Sequence, residues 1–233
     1  MKPVFGKDKT DGYAARLNAA DFGAALLVLV FVWSFAVVFT LNFRPLYFIY
    51  IIAAGWPEAV NIPLPEIAVN YEALIEYNSI FHPGPLSFPT LDLSDHGRIH
   101  YEEVKRIFVV FQVACYASLA GLIPSSIYLF KRRRLRFVTI GAVAALIVVP
   151  AILLFFSAGD WGEFFVVFHE TFFSNDYWIF DATVDPSILI LPDGYFLACA
   201  VMIFAAAIAV PVTGLLLVRR FRRGDAATSR KSA

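Results

Sequence analysis

The chain has 233 residues, 59% of them hydrophobic, a mean hydropathy of +0.69, and 19 acidic against 19 basic side chains. That hydropathy excludes a soluble globular domain, and the balanced charge gives no reason to expect a nucleic-acid partner. Two cysteines, Cys115 and Cys199, both lie inside apolar stretches, which argues against a disulfide or a reactive thiol.

Residues 1–21 form a polar, basic tail. Four windows follow that contain no Asp, Glu, Lys, Arg or His: 22–43, 107–130, 137–158 and 195–218. Each reaches the roughly 20 residues needed to cross about 30 Å of hydrocarbon. The first lacks a small-residue cleavage pattern and reads as a retained helix rather than a signal peptide. The expected fold is all-α integral membrane, with four transmembrane helices and two extracytoplasmic loop regions, 44–106 and 159–194, containing short helices. Fifteen of the 19 basic residues stand in the 1–21 tail, the 131–136 loop and the 219–233 tail. By the positive-inside rule these are cytoplasmic. The two loop regions then face outward, carrying 15 of the 19 acids and all four histidines.

The first loop region opens on Arg44-Pro45, where a bend is expected, because proline lacks an N–H and Arg44 seeks headgroups. The apolar run 46–56 is too short to recross the bilayer and should lie along the interface or pack beneath the loop region. Pro57, Pro63 and Pro65 are expected to break the next stretch, after which Tyr71, Leu74, Ile75 and Asn78 mark a helical stripe over 70–81. Residues 82–90, rich in proline, read as a loop. A helix restarts with Ser94 or Asp95 as N-cap and should run unbroken into the second span. On it His96, His100 and Glu103 fall at i, i+4 and i+7, on one face.

Pro124, Pro150 and Pro211 interrupt the spans and read as kinks. The tail after residue 218 reads as a basic stop-transfer cluster with a disordered end suited to anionic lipid.

The second loop region is the most unusual part of the chain. Nine of the twenty residues from 161 to 180 are aromatic, among them Phe165, Phe168, Phe172, Phe173, Tyr177 and Trp178. Rings suit a boundary that is wet on one side and apolar on the other. His169, Glu170, Asp176, Asp181 and Asp185 are set among or just beyond them. Ionisable groups among rings are costly without partners, so the segment is a functional-site candidate. His100 and His169 both stand just outside a span and are expected at similar depth on one face. Such a pair can hold one proton donor and one acceptor near neutral pH. Three readings follow: acid–base chemistry by His100, oriented by Glu103, with His169; a metal site using His96, His100 and His169; or a non-enzymatic surface for lipid or a partner. No GxSxG elbow is present, which argues against an acyl-enzyme.

His100-Tyr-Glu-Glu-Val-Lys105 resembles the His-x-x-Asp/Glu-Val-Lys element of the lipoprotein intramolecular transacylases, a bacterial four-helix membrane family. His169-Glu170-x-Phe-Phe, Asp176-x-Trp-x-Phe-Asp181, Asp185-Pro and Leu191-Pro192 through Phe196 resemble its second signature. The likeness covers about residues 22–218; the 82–90 stretch and His96 depart from the pattern. The resemblance implies transfer of the sn-2 acyl chain of a diacylglyceryl-modified lipoprotein onto the α-amine of its N-terminal cysteine, at the outer face of the cytoplasmic membrane. It implies His100 and His169 as catalytic residues, with no cofactor and no metal, and lipoprotein and membrane lipid as partners. Glu103, Lys105, Glu170, Asp176, Tyr177, Trp178, Asp181 and Asp185 would support them. Tyr177, Trp178 and Lys105 are candidate oxyanion donors, and Phe165, Phe168, Phe172 and Phe173 would contact acyl chains.

Overall fold

The computed structural model describes residues 19–131, 136–156 and 160–231, and these form helices and their connections, without a strand. The order is α1 (Ala19–Asn42), α2 (Arg44–Ala53), α3 (Trp56–Val60), α4 (Leu64–Tyr77), α5 (Asp95–Lys131), α6 (Arg136–Phe156), α7 (Trp161–Phe172), a 3-10 turn (Pro186–Ile190) and α8 (Asp193–Lys231). Segments Ala19–Asn42, Asp95–Leu129 and Asp193–Arg220 are long and apolar enough to cross a membrane. Helix α6 covers the expected third window, 137–158, as far as Phe156, and its 21 residues carry no charge after Arg136; residues 157–158 lie outside the described residues.

Helix α1 is the hub, packing against α5, α6 and α8, while α6 also meets α8. Small side chains let the helices approach. Val32, Ala36, Ala145 and Ala207 form one buried cluster, and Ala24 and Ala25 pack with Leu129 and Phe137 in another. Large apolar residues such as Leu26, Val110, Ile123, Ile147, Val201 and Leu216 point outward. This is the arrangement expected where lipid is the solvent and close packing drives association. Span hydroxyls bond back along their own helices, Ser34 Oγ to Val30 O at 2.6 Å and Ser118 Oγ to Cys115 O at 3.0 Å.

The two loop regions share a second core. It joins Tyr47 and Ile51 of α2, Ile67, Tyr71 and Leu74 of α4, Tyr101 of α5, Ile190, Leu191 and Tyr195. The Tyr47 and Tyr71 rings stack 3.5 Å apart, Tyr71 and Tyr195 share a hydroxyl hydrogen bond of 2.8 Å, and Tyr47 Oη donates to Ile190 O at 2.7 Å. Trp56 Nε1 donates to Leu189 O at 2.8 Å. The 46–56 run therefore packs beneath the loop regions, tied down by its tyrosine and tryptophan polar ends.

The chain breaks at Phe43, and Arg44 pairs with Glu72 at 2.7 Å. The stretch is broken at 54–55 and 61–63, and Pro57, Pro63 and Pro65 mark where its helices restart rather than where they end. Pro57 and Pro65 lie in the first turns of α3 and α4, with Pro63 as the residue before α4, positions where a missing N–H costs nothing. Helix α4 consequently spans 64–77 rather than 70–81 and stops at Asn78, whose Nδ2 donates to Leu74 O. Pro124 and Pro211 lie within α5 and α8, which continue through them. The tail is likewise not irregular: α8 continues helical through the basic cluster to Lys231. Lys2, Lys7, Lys9, Arg16 and Arg132 to Arg134 lie outside the described residues.

Candidate active site

Helix α5 begins where Ser94 caps it, accepting from Gly97 N at 3.0 Å. Ser94 is itself held by the buried Asp185, which accepts from Ser94 N and from Ser94 Oγ, each at 2.7 Å. A carboxylate at this end of a helix also complements the helix dipole. The approach requires Gly97, since a Cβ there would stand 2.6 Å from Asp185 Oδ1. One side chain from the second loop region thus registers the first turn of α5, and with it His100.

Helix α7 begins at Asp160, which accepts from Glu163 N at 2.9 Å, and carries His169 in its last turn. His169 Nδ1 lies 2.6 Å from Phe165 O. A carbonyl only accepts, so Nδ1 carries the proton and Nε2 keeps the lone pair. Trp178 stacks on the ring at 4.8 Å, and Phe165 lies on it at 4.1 Å.

The two histidines meet. His100 and His169 are buried, with ring centroids 5.8 Å apart. Phe173 touches both, at 4.8 and 5.5 Å, and Phe180 lies 5.5 Å from His100. His100 precedes the apolar stretch of α5, and its Nδ1 is buried without a hydrogen-bond partner. Burial, with His169 beside it, pushes the His100 imidazole down to about 4; burial also lowers His169, opposed by the Phe165 carbonyl. Both shifts favour the neutral rings at physiological pH.

The other expected site residues separate into groups. His96 stacks on Tyr177 at 4.0 Å, and Glu103 Oε1 accepts from Asn175 Nδ2 at 2.9 Å. The α5 face defined by His96, His100 and Glu103 therefore docks on the 169–177 segment throughout. Glu103, however, hydrogen-bonds Asn175, and its Oε2 and His100 Nδ1 are each buried without a partner, so the expected orienting contact to the His100 ring is not made. Lys105 turns away altogether, donating to His82 O at 3.0 Å and lying 4.2 Å over the Tyr77 ring. It is a poor oxyanion donor there. Asp176 and Glu170 are exposed. Asp181 is exposed too, its carboxyl held below its ordinary range by the N–H and hydroxyl of Thr183 in a local turn. Asp185 anchors α5. Among the described residues no three His, Cys, Asp or Glu side chains converge as a ligand set.

A cleft of about 490 Å³ is bordered by Glu103, Arg106, Glu170, Phe172, Phe173 and Ser174 among others; neither histidine lines it, and Phe173 stands between it and the pair. Phe172 is 58% exposed and lies beside Phe168 at 4.7 Å, while Phe173 packs inward on both histidines and Phe165 on His169. Phe180, the ring of the Asp176-x-Trp-x-Phe-Asp181 signature, joins the site, and so does Asn175, which was not singled out from sequence because it is an ordinary polar residue in the Ser-Asn-Asp turn.

A family model described as lipoprotein intramolecular transacylase Lit matches residues 22–196. The fold is similar to the in meso structure of the membrane integral lipoprotein intramolecular transacylase Lit from Bacillus cereus, with a TM-score of 0.84 and 31% identity over 89% of this chain and 96% of that one. Variants of the same Bacillus cereus protein in which one histidine is replaced are also similar. The arginine variant gives a TM-score of 0.80 at 30% identity, over 90% of this chain and 93% of that one. The alanine variant gives the same score and identity over 89% and 94%. No curated protein matches.

Proposed function

This chain belongs to the lipoprotein intramolecular transacylase family of bacterial membrane-integral enzymes, and from that premise we propose that it moves the sn-2 acyl chain of a diacylglyceryl lipoprotein onto the α-amine of the N-terminal cysteine, using His100 and His169 as acid and base. The observation that carries this is the neutral, buried imidazole pair at 5.8 Å, brought together from two helices.

The amine and ester belong to one molecule, so alignment supplies much of the rate as effective molarity. The α-ammonium, with a pKa of about 8, first gives up a proton to become the free amine. Its nitrogen then attacks the ester carbonyl, forming the C–N bond. His169 Nε2 takes the second nitrogen proton as the tetrahedral intermediate forms. The C–O bond to glycerol breaks, and the pair returns that proton to the departing oxygen. Amide and free 2-hydroxyl are the products, and no group is oxidised or reduced. A single proton shuttles, because two imidazoliums at this separation would repel each other in a dry site. Trp178 and Tyr177 remain candidate oxyanion donors, and Phe168 with the exposed Phe172 gives an apolar wall for the acyl chain.

We further propose four spans in the bacterial cytoplasmic membrane, comprising α1, α6 and the apolar parts of α5 and α8, with both termini cytoplasmic and the histidines on the extracytoplasmic face. The charge asymmetry supports this. The test is expression in a bacterial host that lacks lyso-form lipoproteins, with mass spectrometry of N-terminal lipopeptides. The expected result is an N-acylated, sn-2-deacylated cysteine of unchanged mass, distinguished by fragmentation. Fragments that retain both glyceryl esters and a free amine would overturn it.

A further inference from the structure

Helix α5 has a second polar face. At about 100° per residue, Arg98, Glu102, Lys105 and Val109 fall roughly opposite His96, His100 and Glu103. On that side a cleft of about 520 Å³ is bordered by Arg98, Glu102, Lys105 and Arg106, with Tyr77 and Gly84 across from them.

The 82–90 stretch, which departs from the family pattern, builds the far wall. Gly84 has φ +88°, the left-handed region open to glycine, and turns the loop back toward the helix. Leu86 and Phe88 are buried and fasten it to the core shared by the loop regions. Its carbonyls accept from α5: His82 O from Lys105 Nζ at 3.0 Å and Leu86 O from Arg98 Nη1 at 3.4 Å. Three cations thus surround the cleft against one carboxylate, Glu102, which pairs with Arg106 at 2.6 Å. The excess is positive.

Directly along the helix the same face becomes apolar. Val109, Val113 and Tyr116 continue the stripe into the 107–130 stretch, and Val113 and Tyr116 are exposed. Phe81 is 79% exposed, its ring 6.4 Å from Tyr116. A cationic cleft at the polar end of an exposed apolar stripe matches a molecule with an anionic head and a hydrocarbon tail. We propose that this cleft binds the phosphodiester of an anionic glycerophospholipid, with an acyl chain along Phe81, Val113 and Tyr116. Arginine forks suit phosphate oxygens. Inorganic phosphate shares the head chemistry but leaves the apolar stripe unused. The charge and shape that make the site do not depend on the acyl-transfer reading, although Arg106 also borders the cleft beside Glu103.

The test is native mass spectrometry of the full chain released from detergent with equimolar phosphatidylglycerol and phosphatidylcholine of matched chains. The expected result is preferential retention of one phosphatidylglycerol. Arg98→Gln with Arg106→Gln should weaken retention on the order of tenfold, and Arg98→Lys with Arg106→Lys should restore part of it. Glu102→Gln, which removes the competing carboxylate and leaves the arginines in place, should raise retention, so the proposal stays testable even if the double Gln variant melts early. Equal retention of both lipids, or no change in the Glu102→Gln variant, would mean annular lipid only and would overturn the site. Displacement of phosphatidylglycerol by millimolar inorganic phosphate would assign a free-phosphate site and overturn the lipid.

Discussion

The proton on His169 sits on Nδ1 because Phe165 O, at 2.6 Å, can only accept. One hydrogen bond therefore turns Nε2 into the basic nitrogen. Were the pair a unit, His100→Ala and His169→Ala would each abolish acyl transfer, and the double variant would be no worse than either, since residues acting together are non-additive. Lipopeptide mass spectrometry on the three variants tests this, and graded, multiplicative losses would count against a shared site. The His100 ring, lowered to about 4 from an ordinary 6.5, makes a second prediction. As pH falls, the unfolded chain binds the proton first, so stability is flat above about 6.5 and declines from there toward 4. Melting of the wild type in detergent at pH 7.5 and pH 5 should differ, and the difference should shrink in His100→Gln. Glu103 supplies a third. Its amide analogue still accepts from Asn175, so Glu103→Gln should cost activity only a few-fold, whereas Glu103→Ala frees the loop beneath Phe173 and should cost on the order of 10²-fold. A severe loss in the Gln variant would instead demand the charge itself, acting on the site.

Helix α5 is fixed at its N-terminal end by the second loop region. Asp185 closes on Ser94 with two bonds of 2.7 Å, and Gly97 leaves the space for it. A methyl at position 97 cannot coexist with that carboxylate at 2.6 Å. Gly97→Ala should destabilise by about 1–3 kcal/mol despite the higher helix propensity of alanine. The check is a lower melting temperature than wild type together with reduced activity; a stabilised variant would show that the clamp relaxes freely. At this scale prolines also gain their meaning. Pro57 and Pro65 read as breakers in isolation, but the first turn of a helix has no use for their N–H groups, so they start α3 and α4.

Across the whole molecule, α1 gathers the other long helices through small residues, and the tyrosine core fastens the two loop regions to one another. The proposed orientation in the membrane rests on charge. In a chain with Cys115 and Cys199 replaced by alanine, a cysteine at Ser87 or Ser174 should label from outside intact cells, and one at Ser229 should not. Labelling at Ser229 from outside would reverse the orientation and separate the histidines from the leaflet proposed for the substrate.

Much of this protein is determined locally by its sequence. A span announces itself because about twenty uncharged apolar residues admit few other fates, and the His96, His100, Glu103 face follows from helical periodicity alone. The density of rings around His169 marked the segment for the same reason, since burial among rings demands a partner. That His100 and His169 share a face follows from their places just outside two spans; what only the tertiary structure decided is their approach to 5.8 Å and the partners of the residues around them. Glu103 turns to Asn175, Lys105 to His82, and Asp185 to Ser94. Each pairing joins residues from distant parts of the chain, and its choice depends on how α1 sets the other helices and how the tyrosine core sets the loops. Spacing along the chain specifies which side chains share a face. It does not specify what that face will meet, because the free energy that selects the contact comes from packing between elements.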